Sequence, residues 1–372
     1  MNTIDVKNMR SILGEFMQEL DRYLAEKPEK YRSLVRYSRF SYGMGPDYND
    51  RGQALLYLLR NSWQYSFEYY LMYHIALRML REYGAKSADV YSFGCGACID
   101  ALSLEYAIAS EFSGIMNAEY TGVDAVRWPV VFPIPEEFVH ENADELIITD
   151  IGDFWDGKNS FSGNILFFPK ILCELSEEND EAGSFARGLA RIKLTQDRII
   201  LCVSYRNKNT FTKGMSEPEW NKTQKTIDAL GSQGYSCSRK YSAAPGGTEQ
   251  FFCKDLVESD AGELFPYYYF SGGEEELTIN EVMPAFMPTN EVIRYLDTPG
   301  DIRRYCPYYE SREKKYYRKH KMPDDPVRVC KSECPISCLT EPPVIISANY
   351  RTMCFQVLEF TRYHRIFQMS GS

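Results

Sequence analysis

Apolar residues recur at intervals of three and four near the start of the chain: Val6, Met9, Leu13, Phe16, Leu20 and Leu24. That spacing predicts an amphipathic helix with one buried stripe. Lys27 and Pro28 break it, and the glycine- and polar-rich stretch 38–52 (SRFSYGMGPDYNDRG) reads as a loop. From Gln53 to Tyr83 there is neither Gly nor Pro, and Gly84 follows as a C-cap. These thirty-one residues predict two helices with a break near Asn61–Ser62.

From Ala88 onward short apolar runs alternate with helical patterns. Strands are predicted at Ala88–Phe93, Glu119–Val123, Glu145–Thr149, Asn164–Phe168 and Arg198–Ser204, with a helix over Ala101–Phe112 and others around 171–178 and 185–192. Near-continuous apolar strands joined by crossovers indicate a parallel sheet covered on both faces. Two further strands, Tyr235–Tyr241 and Glu249–Lys254, flank an Ala-Pro-Gly-Gly turn and read as a hairpin-like close. The expected class is α/β, with a helical cap over 1–84, a core over 85–256 and an accessory region over 257–372.

Composition narrows the picture. The 372 residues are 44% hydrophobic and 14% aromatic, enough to build a packed core and too many for a disordered chain. A formal net charge of −10 argues against non-specific coating of nucleic acid, which draws its affinity from basic side chains. Met1–Arg10 lacks the apolar core of a signal peptide, and Arg60, Glu68 and Arg78 interrupt the most apolar long stretch, so no membrane span is expected. Eleven cysteines, an odd number scattered through strands and tail, favour free thiols in a reducing cytosol.

The segment VYSFGCGACID (90–100) carries the first candidate chemistry. A strand runs into Gly94-Cys95-Gly96 and a helix begins near Asp100. Glycines let the backbone turn sharply and come close to a ligand, and the helix N-terminus offers unpaired N–H groups to an anion. Alone, such a turn has a tight strand–helix connection that binds nothing as its alternative. The next strand ends in Gly122-Val123-Asp124, where a carboxylate suits the hydroxyls of a ribose. The third is followed by Asp150-Ile151, suited to an adenine edge and face, and the fourth by Phe167-Phe168-Pro169-Lys170. Every candidate falls at a strand's carboxyl end, where open α/β sheets bind ligands.

Over roughly residues 85–255 this order of motifs resembles the class I S-adenosylmethionine-dependent methyltransferases, a Rossmann-like fold with seven strands. FGCGACIDAL is similar to that family's glycine-rich first motif, GVD at 122–124 to the acidic end of its second strand, and ITDIGDF to its third motif. The resemblance implies S-adenosylmethionine as cofactor, with Gly94, Cys95 and Gly96 beside its methionine end. Asp124 would hold its ribose, Asp150 and Ile151 would flank its adenine, and Phe168 to Lys170 would face the methyl acceptor. Two departures stand out: Ser92 where many members carry an acid, and Cys98 where many carry a third small residue. The fourth motif is not the Asp/Asn-Pro-Pro-Tyr/Phe signature of base amino-methylation.

Transfer from a sulfonium is a displacement that depends on alignment in a dry site, and a base is needed only if the acceptor must first lose a proton. His140, Lys170, Glu174 and Tyr205 are the candidates, each with an ordinary structural role as its alternative. The acceptor is expected to be a small molecule ahead of RNA. In the tail, Cys330, Cys334, Cys338 and Cys354 form a set for zinc or an iron–sulfur cluster, with free thiols or a disulfide as the alternative. CPISCL and the later MCFQVLEFTR are faintly similar to cysteine segments of Rsm22-like proteins, methyltransferase-fold factors of mitochondrial small-ribosomal-subunit assembly. Residues 303–331 hold ten Lys/Arg against four Asp/Glu, interleaved with tyrosines. That run supports the competing expectation: a non-catalytic protein binding RNA or a ribosomal particle through its tail. A nicotinamide oxidoreductase is disfavoured because Ile99 stands where G-x-G-x-x-G needs its last glycine.

Overall fold

The computed structural model describes residues 9–27, 30, 48–139, 146–205, 218–243, 250–258, 264–271, 351–352 and 354–362. The chain opens with α1 (Met9–Glu26) and α2 (Arg51–Glu82), followed by β1 (Ser87–Phe93), α3 (Ile99–Ala107), β2 (Asn117–Asp124) and β3 (Leu146–Ile148). Next come β4 (Ser160–Phe161), β5 (Ile165–Pro169), α4 (Glu181–Arg191), β6 (Lys193–Leu194), β7 (Arg198–Ser204), α5 (Pro218–Ser232) and β8 (Tyr235–Ala243). The remaining strands are β9 (Gln250–Glu258), β10 (Leu264–Ser271), β11 (Arg351–Thr352) and β12 (Phe355–Arg362).

Seven strands form the main sheet in the order β3-β2-β1-β5-β7-β12-β8. The first five are parallel, whereas β12 runs antiparallel to both β7 and β8. This is the expected α/β, Rossmann-like methyltransferase fold, and the sheet order itself carries that assignment. Alternate residues face opposite layers, as the pleat requires. Ile165 and Phe167 pack with α1, α2 and α3, while Leu166 and Phe168 pack with α4 and α5. The same alternation divides Ile200 and Cys202 from Ile199, Leu201 and Val203.

Three expectations need correcting. The break in the second helix does not occur, because α2 is continuous over 32 residues. Two of the polar residues near the expected break bond within the helix: Asn61 Nδ2 donates to the Tyr57 carbonyl (2.9 Å) and Ser66 Oγ to the Ser62 carbonyl (2.6 Å). Asp50 fixes the start, accepting from the Gln53 N–H at 3.1 Å. Second, β8 and β9 are not a hairpin: β8 joins the main sheet, and β9 pairs with β10 and β11 in a separate three-stranded sheet. Third, the core does not end at residue 256. Its sixth position in space is filled by β12, almost a hundred residues later in the chain than β9.

A buried carboxylate secures that insertion. Glu359 on β12, wholly buried, accepts from Arg198 Nη1 (2.9 Å) and Arg239 Nε (2.6 Å), one from each neighbouring strand. The Arg198 guanidinium also stacks 3.1 Å above the Tyr83 ring, at the C-cap of α2. A chain ended after residue 256 therefore loses the strand between β7 and β8 and the carboxylate shared by their arginines. We expect it to give no cooperative thermal transition by circular dichroism, whereas the full chain gives one; a folded truncate would contradict this topology.

Candidate functional site

The candidate site lies at the carboxyl end of β1, where the chain crosses to β2 on one side and later returns to β5 on the other, the place where open α/β sheets form a binding crevice. The turn after β1 is knitted to β2. The N–H groups of Gly94 (2.6 Å) and Cys95 (3.2 Å) both donate to the Val123 carbonyl, and Cys98 N–H donates to the Cys95 carbonyl (2.9 Å). Gly94 and Gly96 adopt positive φ, +72° and +56°. A Cβ at Gly94 would collide with the Ile171 side chain, and one at Gly96 would press on Trp128. These glycines are thus required by protein side chains packed against the turn, and both remain partly exposed.

Asp124 meets the turn directly. Its Oδ2 accepts from the Gly96 N–H (2.8 Å) and its Oδ1 from the Val126 N–H (2.9 Å). Burial pushes its pKa above the ordinary carboxylate value, and the two backbone donors pull it back in part. Each oxygen keeps a further acceptor lobe, which suits the paired hydroxyls of a ribose. Asp150 is exposed beyond β3, at the start of a short helical turn. The bend and Asp124, both predicted from sequence, therefore come together, and the carboxylate's remaining acceptor lobes suit a nucleoside's hydroxyls.

Other expected contacts go elsewhere. The Ile151 side chain is buried in the α4-side core, so it does not flank an adenine. Phe168 is buried on that same face, 5.2 Å from Phe93 and 5.5 Å from Phe185 between ring centres, because strand alternation turns it away from α2. Cys95 points its thiol at Gly122, leaving only its backbone to the turn's outer side.

Lys170 follows β5 in the left-handed region (φ 56°) and spends its ammonium on the protein. Its Nζ donates to both Glu68 oxygens (2.8 and 3.1 Å) and to the Tyr205 carbonyl (3.1 Å), above the Tyr65 ring. Burial lowers its pKa, but Glu68 more than offsets this and holds it above the ordinary lysine value. Lys170 already carries its proton and is no base. Tyr205 is also withdrawn: it is buried, bonded to Gln356 (3.0 Å) and Thr223 (3.1 Å), and burial raises its pKa far above the usual range. Glu174 is exposed and accepts from Tyr48 Oη at 3.2 Å. His140 lies outside the described residues.

Residues that the sequence reading passed over complete the site. Glu68, together with Ser204, whose hydroxyl also binds it, joins α2 to the ends of β5 and β7. Trp128 stacks on Tyr48 (4.5 Å, 29°) and tilts against Tyr57 (5.4 Å), forming an aromatic wall from the glycine turn to Glu174. A carboxylate inside an apolar helical run was the available signal for Glu68. Below the turn, Asp100 is fully buried and accepts from Tyr73 (2.9 Å) and Tyr120 (3.0 Å). Burial pushes it up to about 6 despite those hydrogen bonds.

Among the described residues no group of three or more His, Cys, Asp or Glu side chains is placed to hold a metal ion. Cys330, Cys334 and Cys338 lie outside them. Cys354 is buried at the entry to β12, with Glu68, Lys170 and Glu219 as its charged neighbours and its carbonyl accepting from Tyr205 N–H (2.7 Å). Nor is any described helix long and apolar enough to cross a membrane.

No family model and no curated protein matches the chain. Among solved structures it is similar to the plantazolicin methyltransferase BpumL in complex with SAH: 9% identity, 93% of this chain and 100% of that one, TM-score 0.32. A SAM-dependent methyltransferase from Aquifex aeolicus aligns at 18% identity over 45% and 82% of the two chains, TM-score 0.24. A TehB-like SAM-dependent methyltransferase from Corynebacterium glutamicum aligns at 10% over 53% and 86%, also at 0.24.

Two stability outcomes follow from the buried charges. Glu68→Gln or Lys170→Met alone leaves an unpaired buried charge and should cost about 3–5 kcal/mol in urea unfolding, and the double variant should recover much of that. For Asp100, a folded pKa above the unfolded value of 3.8 favours the folded state at low pH and loses that contribution as pH rises from about 4 to about 6. The stability of Asp100→Asn relative to the parent should therefore climb by about 3 kcal/mol over that window and stay level above it. A flat difference would show that Asp100 titrates normally.

Proposed function

We propose that the chain transfers a methyl group from S-adenosylmethionine to an acceptor, a small molecule ahead of RNA. One observation carries this reading: the Gly96 N–H meets the Asp124 carboxylate at 2.8 Å, at the carboxyl ends of adjacent strands. Gly94 and Gly96 would lie beside the methionine end, Asp124 would hold the ribose, and Asp150 would meet the adenine edge. When bound, the cofactor supplies an electrophilic methyl with its own leaving group.

The protein's part is then to align and to exclude water. The middle of α2 reaches the ends of β5 and β7, where Glu68 pairs with Lys170 and binds Ser204, and its N-terminal half carries Tyr57 and Tyr65 beside Trp128 and Lys170. A small acceptor suits a crevice walled in this way. With Lys170 and Tyr205 occupied, Glu174 is the candidate among the described residues left to take a proton, for an acceptor that must lose one.

Titration calorimetry of the purified chain with S-adenosylhomocysteine and with NAD tests the reading. The nucleoside thioether should bind and NAD should not. Asp124→Asn, which gives up charge-assisted acceptance, should weaken binding by about 10–100-fold. Tighter binding of NAD, or no binding of the thioether, would overturn it.

A further inference from the structure

We propose that Cys95 and Cys98 are an oxidisable dithiol, a modification site built into the glycine turn, with a small hydroperoxide as the oxidant. The two thiols are in contact, Sγ to Sγ 3.9 Å, and Cys98 directs its S–H at Cys95. The Cys98 N–H to Cys95 carbonyl bond closes a turn over Cys95-Gly96-Ala97-Cys98. Such a turn keeps its end Cα atoms within about 7 Å, the limit beyond which a disulfide cannot close without moving the backbone. A bond of about 2.05 Å requires the sulfurs to approach by about 2 Å, which rotation of the side chains and tightening of the turn supply. Gly122 permits the arrangement: a Cβ there would lie 2.8 Å from the Cys95 sulfur.

The chemistry balances with one peroxide. One thiol gives up its proton and attacks an oxygen of hydrogen peroxide; the O–O bond breaks, and a sulfenic acid and water form. The second thiol's sulfur then displaces the hydroxyl as a second water, so two thiols are oxidised to a disulfide and the peroxide is reduced. Both cysteines are almost fully buried, at 4% and 1% exposure, which admits a small oxidant and shuts out bulky ones. Burial also raises the Cys95 thiol well above its ordinary pKa, so the reaction should be slow at neutral pH and quicken as pH rises.

The consequence rests on the proposed function. Gly96, between the two cysteines, donates the N–H that Asp124 accepts. Pulling the sulfurs together turns that peptide and weakens the cofactor's hold on the turn.

The test treats the reduced full chain with hydrogen peroxide at pH 7 and pH 9, then maps cysteines by differential alkylation and mass spectrometry. Affinity for S-adenosylhomocysteine is measured before oxidation, after it, and after dithiothreitol. We expect the peptide carrying both residues to be two hydrogens lighter, faster at pH 9, and binding at least tenfold weaker until dithiothreitol restores it. In Cys98→Ser the peptide should keep its mass, and the oxidised-to-reduced affinity ratio should stay near one. Should that variant fail to fold, mapping and reversal in the parent chain decide alone. Two thiols still open to alkylation, over-oxidation without a cross-link, or a cross-link with unchanged affinity would each overturn the inference and leave the proposed function standing. Failure of the reduced chain to bind S-adenosylhomocysteine would instead overturn both.

Discussion

A single backbone N–H decides the shape of the crevice. Gly96 donates to Asp124, and that contact holds the exit of β1 against the exit of β2. The Val126 N–H takes the other carboxylate oxygen, so Asp124 organises the start of the next loop as well. That loop carries Trp128 against Gly96 and is pinned again where Phe132 N–H donates to the Ala97 carbonyl (2.8 Å). Without the carboxylate, two backbone donors at a partly buried bend would have no acceptor, a cost comparable to the hydrogen bonds themselves. A group that binds a ligand's hydroxyls can also be the one that builds the ligand's cradle.

The long helix α2 explains how a sheet of this kind acquires a roof. At 32 residues it spans about 48 Å, longer than the strands it covers. Its C-terminal end meets Arg198, at the amino end of β7, and Arg239 of β8, through Tyr83 and Glu82. Its middle stacks Tyr73 on Phe167 at 4.4 Å, and Glu68 reaches the carboxyl ends of β5 and β7. It therefore runs antiparallel to the strands, and its first turns stand beyond them. The buried ion pair costs desolvation on both sides, which offsets most of its attraction and leaves little net stability. What it supplies is register, because an apolar helix on an apolar sheet could slide, whereas Glu68 satisfies Lys170 and Ser204 at one setting only.

Most strands were legible in the sequence because both faces of a buried parallel strand are apolar, and the runs at 88–93, 164–168 and 198–204 match β1, β5 and β7 to within a residue or so. Asp124 and the glycines were legible because their spacing follows strand ends. What escaped was long-range: no local signal says that 355–362 slots between β7 and β8, since strand pairing is settled by sheet closure and by Glu359 finding two arginines. The reading of Phe168 and Ile151 as ligand contacts used motif position alone. The pleat sends Phe168 of β5 to the α4 layer, and the short helical turn after β3 carries Ile151 into the same core. Lys170 misled because a lysine at a strand exit reads as free until its partner, a hundred residues earlier on α2, is known.

The distribution of buried charge ties these observations together. Asp100, under the glycine turn, is held by two tyrosine hydroxyls, Tyr73 of α2 and Tyr120 of β2, while Glu68, little more than a turn before Tyr73 on α2, is matched by Lys170. Both carboxylates thereby join α2 to the parallel sheet near its carboxyl end. Hydrophobic contact between the layers is nondirectional, so it fixes how much surface is covered and not where the helix stops. Polar groups that pair only in one alignment set that stop, at a cost in desolvation. Placing them at the crevice puts the rigid part of the interface where alignment matters for chemistry and leaves the apolar remainder to supply the stability.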